Sequence, residues 1–94
     1  MSYVYILYSE SLNRYYVGEA SNINKRVEQH NSGFYSTAFT KQVSDWVLFH
    51  VIDCKDRVQA RKIETHIKKM KSKTYIQNLK KYPEILEKLK SKYN

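Results

Sequence analysis

The hydrophobic positions change period along the chain, and the changes mark its elements. Residues 3–8, Tyr-Val-Tyr-Ile-Leu-Tyr, are almost continuously apolar. Such a run predicts a strand buried on both faces. Side chains alternate along a strand, so Tyr3, Tyr5 and Leu7 share one face and Val4, Ile6 and Tyr8 the other. Residues 9–14 read as a polar turn, and residues 15–18, Tyr-Tyr-Val-Gly, resume as a second strand. Together they predict a hairpin.

Ser21 and Asn22 are N-cap residues, and Ile23, Val27 and His30 follow at helical spacing. The spacing predicts a helix over 23–32, stopped at Asn31-Ser32-Gly33. Residues 34–45 read as a loop. Residues 46–53, Trp-Val-Leu-Phe-His-Val-Ile-Asp, predict a third strand, and apolar character on both faces argues for a central one. Asp56 with Gln59 three residues later resembles a capping box. It opens a helix whose apolar stripe is Ala60, Ile63, Ile67 and Met70. A break at 71–73, a short helix over 74–81 and a helix opened by Pro83 complete the chain. In that last helix Ile85, Leu86 and Leu89 would pack as a lid. The order is β-β-α-β-α-α-α, an α/β fold with a small, mainly antiparallel three-stranded sheet flanked by helices. A length of 94 residues fits one domain over 1–94, with a core of about 3–79 and a C-terminal helix over 82–94.

Charge changes this picture more than composition does. The net charge is +8, but residues 1–54 hold four Lys/Arg against five Asp/Glu, whereas residues 55–94 hold thirteen against four. A basic excess confined to one half points to a polyanion partner, with a solubilising face as the plain alternative. Five of the nine tyrosines, Tyr3, Tyr5, Tyr8, Tyr15 and Tyr16, fall in the first hairpin. They are either packing residues or hydroxyls lining a cleft. The single cysteine, Cys54, excludes an internal disulfide and fits a reducing compartment. No apolar run is long enough for a membrane span, and no secretory signal opens the chain, so a cytoplasmic location is expected. Nothing has the paired His/Cys spacing of a structural zinc site, and His50 and His66 are isolated on a strand and a helix. Gly18 and Gly33 are the only glycines, so there is no phosphate-cradling loop.

Two tripeptides and two helices then form a recognisable set. Tyr3-Val4-Tyr5 and Tyr16-Val17-Gly18 stand where GIY-YIG nucleases carry their name motifs. An Asn cap, Arg26 and His30 follow in register, and Glu64 stands in the place of the metal-binding glutamate. The chain therefore resembles the GIY-YIG nuclease family from about residue 3 to residue 79. It is most similar to the short members related to the nuclease domain of bacterial excision repair and to certain homing endonucleases. The resemblance implies a DNA endonuclease, a role such as DNA repair, and one Mg²⁺ or Mn²⁺ held by Glu64. It also implies Tyr16 as general base or relay, Tyr5 holding the attacking water or the phosphate, Arg26 neutralising the phosphate and His30 assisting Tyr16. Asn78 is the match for the family's late asparagine. Lys25, Lys68, Lys69, Lys71 and Lys73 would hold the DNA backbone without reading bases.

The residues support this chemistry on their own spacing. Arg26 and His30 are i,i+4 and share a helix face. A phosphodiester site needs a cation for the phosphate, a base for the water and a metal or donor for the leaving oxygen. Arg26, then Tyr16 or His30, then Glu64 can supply them. Free tyrosine ionises near pH 10 (about), so Tyr16 needs help from cations to act near neutrality. Read singly, Tyr5 and Tyr16 are half-buried strand tyrosines, Arg26 a partner of Glu19 or Glu28, and Glu64 a solvated boundary residue. Tyr3 and Glu19 depart from the family pattern, and a carboxylate at Glu19 would repel phosphate or recruit a cation. The alternative reading is a nucleic-acid-binding module of the same fold without catalysis. A weaker one is a domain whose basic face binds an acidic protein.

Overall fold

A computed structural model describes residues 2–32 and 43–94. The elements run β1 (Ser2–Ser9), β2 (Arg14–Ala20), α1 (Ile23–Asn31), β3 (Val47–Cys54), α2 (Arg57–Met70), α3 (Lys73–Lys81) and α4 (Pro83–Lys92). This is the expected order. Gly33 and residues 34–42 of the expected loop lie outside the described residues. No helix among the described residues is long and apolar enough to cross a membrane.

The sheet is antiparallel in both pairings, with strand order β2-β1-β3. The expectation that the third strand is central is therefore corrected: β1 is central and β3 is an edge. Val4, Tyr5, Ile6 and Leu7 of β1 are all buried, as a strand covered on two faces requires. In β3, Val47 and Leu48 are 57% and 44% exposed, so their apolar character does not signal burial. Trp46 is buried but precedes the strand instead of opening it. A register shift opposite Ile6 and Leu7 marks an irregularity in the β1–β3 ladder.

The two faces of β1 feed two cores. Val4 and Ile6 join Val17, Ile52 and the apolar stripes of α2, α3 and α4, including Ile63, Ile67, Ile76, Leu79 and Leu89. Tyr5 and Leu7 pack on the opposite face with Ala20, Trp46, Tyr16, Ile23 and Val27. Each fully buried Ile or Leu contributes roughly 1.5–3 kcal/mol relative to exposure, and among the described residues the helical layer holds most of them.

The helix ends follow local chemistry. The Asn22 side chain accepts from the Lys25 N–H at 3.1 Å and starts α1. The Asp56 side chain accepts from the Gln59 N–H at 2.8 Å, while the Gln59 amide oxygen accepts from the Lys55 N–H, one residue short of a reciprocal capping box. The Gln59 NH₂ donates to the Lys90 carbonyl at 3.2 Å and ties α2 to α4. Lys71 ends α2 in the left-handed conformation, with φ 47° and ψ 41°, and Ser72 caps α3. His66 faces α4, where its Nδ1 is hydrogen-bonded to the Tyr93 hydroxyl at 2.9 Å.

Candidate active site

The register sets the heart of the site. Tyr5 pairs with Gly18 and Leu7 with Tyr16, so Tyr5, Gly18 and Tyr16 share one face of the hairpin. Gly18 is required there for space. A Cβ at this position would meet the Tyr5 hydroxyl at 2.5 Å and its Cζ at 2.6 Å. The Tyr5 ring thus lies directly over the glycine, which gives a steric meaning to the glycine of the second tripeptide.

From there the Tyr5 hydroxyl and His30 Nε2 form a hydrogen bond of 2.9 Å. Tyr5 is 2% and His30 1% exposed, so the bond is shielded from water. Burial first, and then the neighbouring positive charge of Arg26, lower the His30 pKa from its usual 6.5. His30 is therefore neutral at pH 7. It also packs against Tyr16 in a tilted contact, with ring centroids 4.6 Å apart and planes at 58°. Tyr16 is further flanked by Tyr5 at 6.3 Å and Trp46 at 6.4 Å. Trp46 is fixed from α1: the Asn31 side chain donates to its carbonyl at 2.9 Å and accepts from its N–H at 2.8 Å. Asn31 ends the helix as expected and, beyond that, clasps the segment that walls the site.

Because β2 is an edge strand, α2 reaches the same tyrosine from the other side. Glu64 is half-buried, with 18% of its side chain exposed, and accepts from Lys68 Nζ at 2.8 Å. The Lys68 ammonium also stands 5.9 Å from the centroid of the Tyr16 ring. Glu64 and Tyr16 are thus joined through one shared cation. Among the described residues no three His, Cys, Asp or Glu side chains converge, so Glu64 is not part of a protein-rich metal cage. A carboxylate oxygen that already attracts an ammonium suits a hard ion such as Mg²⁺.

Glu19 lies on the opposite face of β2 from Tyr16 and turns toward α2. It takes Arg57 at 3.4 Å and Arg61 at 3.8 Å. The negative charge expected to trouble a phosphate is therefore locally balanced. Arg57 and Arg61 are cations that sequence reading missed; their i,i+4 spacing on the face that carries Glu64 and Lys68 was the available signal.

A cavity of about 900 Å³ opens along the β2 edge between the Tyr15–Tyr16 pair and the α2–α3 junction. Lys68, Lys71 and Lys73, three of the lysines expected to hold a DNA backbone, line it. Lys69 does not; it borders a shallower cavity beside His66 and Tyr93. Lys25 is exposed on α1. Asn78 sits half-buried on α3 and does not line the main cavity. Neither His50 nor His66 lines it.

Comparison with known proteins agrees with this geometry. The family model described as the GIY-YIG catalytic domain matches residues 1–82. The chain is 36% identical over 83 residues to a UPF0213 protein of Syntrophus aciditrophicus (strain SB), covering 88% of this chain and 94% of that relative. No solved structure matches. With the tripeptides on paired strands, the arginine–histidine helix beneath them and the glutamate helix at their edge, this chain belongs to the GIY-YIG family.

Proposed function

We propose that this protein is a divalent-metal-dependent endonuclease that hydrolyses phosphodiester bonds in DNA. The observation that carries the reading is the position of Tyr16 between neutral His30 at 4.6 Å and the Lys68–Glu64 pair, whose ammonium is 5.9 Å from its ring. Glu64 would hold Mg²⁺ or Mn²⁺, and the ion would supply charge stabilisation at the phosphate and the leaving oxygen.

The remaining work falls to this chain's side chains. Acting as the phenolate, Tyr16 takes the proton of the attacking water and becomes the neutral phenol, with the Lys68 ammonium beside its ring to balance the negative charge. Neutral His30 supports and orients the Tyr16 ring. Tyr5 is too deeply buried to hold a water, so it acts as a positioning residue that fixes His30. Arg26 counters charge building on the phosphate. Lys68, Lys71 and Lys73, which line one cavity, contact the phosphate backbone. Asn78 has no part in this scheme. A single cysteine, Cys54, fits a reducing compartment such as the cytoplasm.

A second reading, binding without cleavage, draws on the exposed lysines around the cavity, which need no catalysis to attract DNA. Its main argument was the carboxylate of Glu19, and the Arg57 and Arg61 pairs weaken it.

Single-turnover cleavage by Tyr16→Phe separates the two. Loss of a general base lowers the rate roughly 10²–10⁴-fold, with DNA affinity kept because the ring remains. A near wild-type rate and pH profile in Tyr16→Phe would remove Tyr16 from the mechanism.

A further inference from the structure

We propose that the cavity on the β2 edge holds an unpaired nucleotide of the substrate, so that the domain prefers DNA with single-stranded tails at duplex ends over blunt duplex. The proposal deepens the nuclease reading, on which it rests for the nearby scissile bond, but the cavity argues for its ligand separately.

Its volume of about 900 Å³ is that of a site for a nucleotide-sized molecule. The two ends of the ligand are matched by two kinds of lining. Ile67 and Ile76 form a buried apolar floor beside the rings of Tyr15 and Tyr16. Arg14, Lys71 and Lys73 form an exposed cationic rim, and none of the described residues lining the cavity is acidic. A base has a flat apolar face and a phosphodiester a negative charge, so one nucleotide satisfies both. Bases in a duplex are stacked and paired and cannot enter; an unpaired base can, at little cost.

The walls are fixed before any ligand arrives. Tyr15 is backed by Tyr8, with ring centroids 4.8 Å apart, and by Phe49 at 5.1 Å in an edge-on contact. Its hydroxyl accepts from the Gln77 amide at 3.3 Å. Tyr16 is backed by His30 and Trp46. Rigid aromatic walls bind a base without first losing rotamer freedom. Because Tyr15 and Tyr16 are consecutive on an edge strand, their rings flank the strand edge from opposite faces. A base entering there is held next to the proposed proton acceptor.

The test uses the Glu64→Gln protein in chelator, so that no cleavage intervenes. Fluorescence anisotropy compares a short blunt duplex with the same duplex carrying a thymidine tail. The tailed DNA should bind roughly tenfold more tightly, the effect of stacking one base on an aromatic ring. Tyr15→Leu should remove most of that advantage with blunt-duplex affinity kept, and Arg14→Ala should weaken the tailed DNA more than the blunt duplex. In the Glu64→Gln protein itself, a tail of iodouracil should photocrosslink to Tyr15 or Tyr16, which keeps the proposal testable if either further variant fails to fold. Equal affinity for the two DNAs, an advantage that survives Tyr15→Leu, or crosslinks confined to residues outside the cavity would overturn it. The two readings fail separately. Metal-dependent nicking without a tail preference removes the pocket and leaves the nuclease. A tail preference without nicking in any divalent metal removes the nuclease and leaves the pocket.

Discussion

Replacing Gly18 with alanine tests the packing on which the site is built. The added methyl would stand 2.6 Å from Tyr5 Cζ and 2.5 Å from its hydroxyl oxygen. Carbon atoms pack comfortably at roughly 3.5–4.0 Å, so the ring has to move by about 1 Å. It has little room, because Tyr5 is 2% exposed and lies against Tyr16 and His30. Overpacking of this kind costs about 1–3 kcal/mol. Displacing the hydroxyl from His30 Nε2 adds about 1 kcal/mol. The sum, roughly 2–4 kcal/mol, corresponds to a fall in Tm of roughly 10–25 °C for a domain of this size. Thermal and urea unfolding followed by circular dichroism would measure it. The decisive comparison repeats Gly18→Ala in a Tyr5→Ala background, where the ring is absent. There the substitution should become neutral or stabilising by about 0.5–1 kcal/mol, since alanine loses less chain entropy than glycine in a strand. Equal destabilisation in both backgrounds would refute the account of Gly18 as a seat for Tyr5.

Lys71→Gly should act in opposite directions on stability and binding. Glycine relieves the left-handed backbone at the end of α2 and should raise stability by about 1 kcal/mol, read as a higher urea midpoint. It should also lower the slope of log K against log salt for duplex DNA by about 0.9; an unchanged slope would show that Lys71 touches no phosphate. Acidification should destabilise the fold through its histidines. The pKa values of His30, His50 and His66 are all lowered from 6.5, in each case chiefly by burial. The folded state then binds protons less readily than the unfolded chain, so this stability is complete above the unfolded value and lost as pH falls through the lowered ones. The urea midpoint should drop on that acid side, and the drop should shrink in His30→Gln; the same drop in that variant would contradict a buried, neutral His30.

The elements were legible where the cause was local. Asn22, Asp56 and Pro83 announce helix starts by chemistry that acts within one turn, and the alternation in β1 assigns its residues to the correct faces. β3 was placed wrongly because apolar alternation reports side-chain character and not the number of neighbouring strands; Val47 and Leu48 are apolar and exposed. The contacts that complete the site are long-range. Asn31 meets Trp46 across fifteen positions, and although Arg57 and Arg61 share a helix face by spacing, nothing local in the sequence pairs them with Glu19. Gly18 was visible as a motif letter, but its purpose required the register that lays Tyr5 over it.

The central claim is that Glu64 serves a metal-assisted cleavage at Tyr16. Nicking of supercoiled plasmid in Mn²⁺, with and without chelator, compares the wild-type protein with Glu64→Ala. This half-buried carboxylate pairs with the exposed Lys68, so its removal should leave the fold intact. The account predicts nicking by the wild type that chelator abolishes, and none by a folded Glu64→Ala protein that still binds DNA. Equal nicking by Glu64→Ala would contradict it.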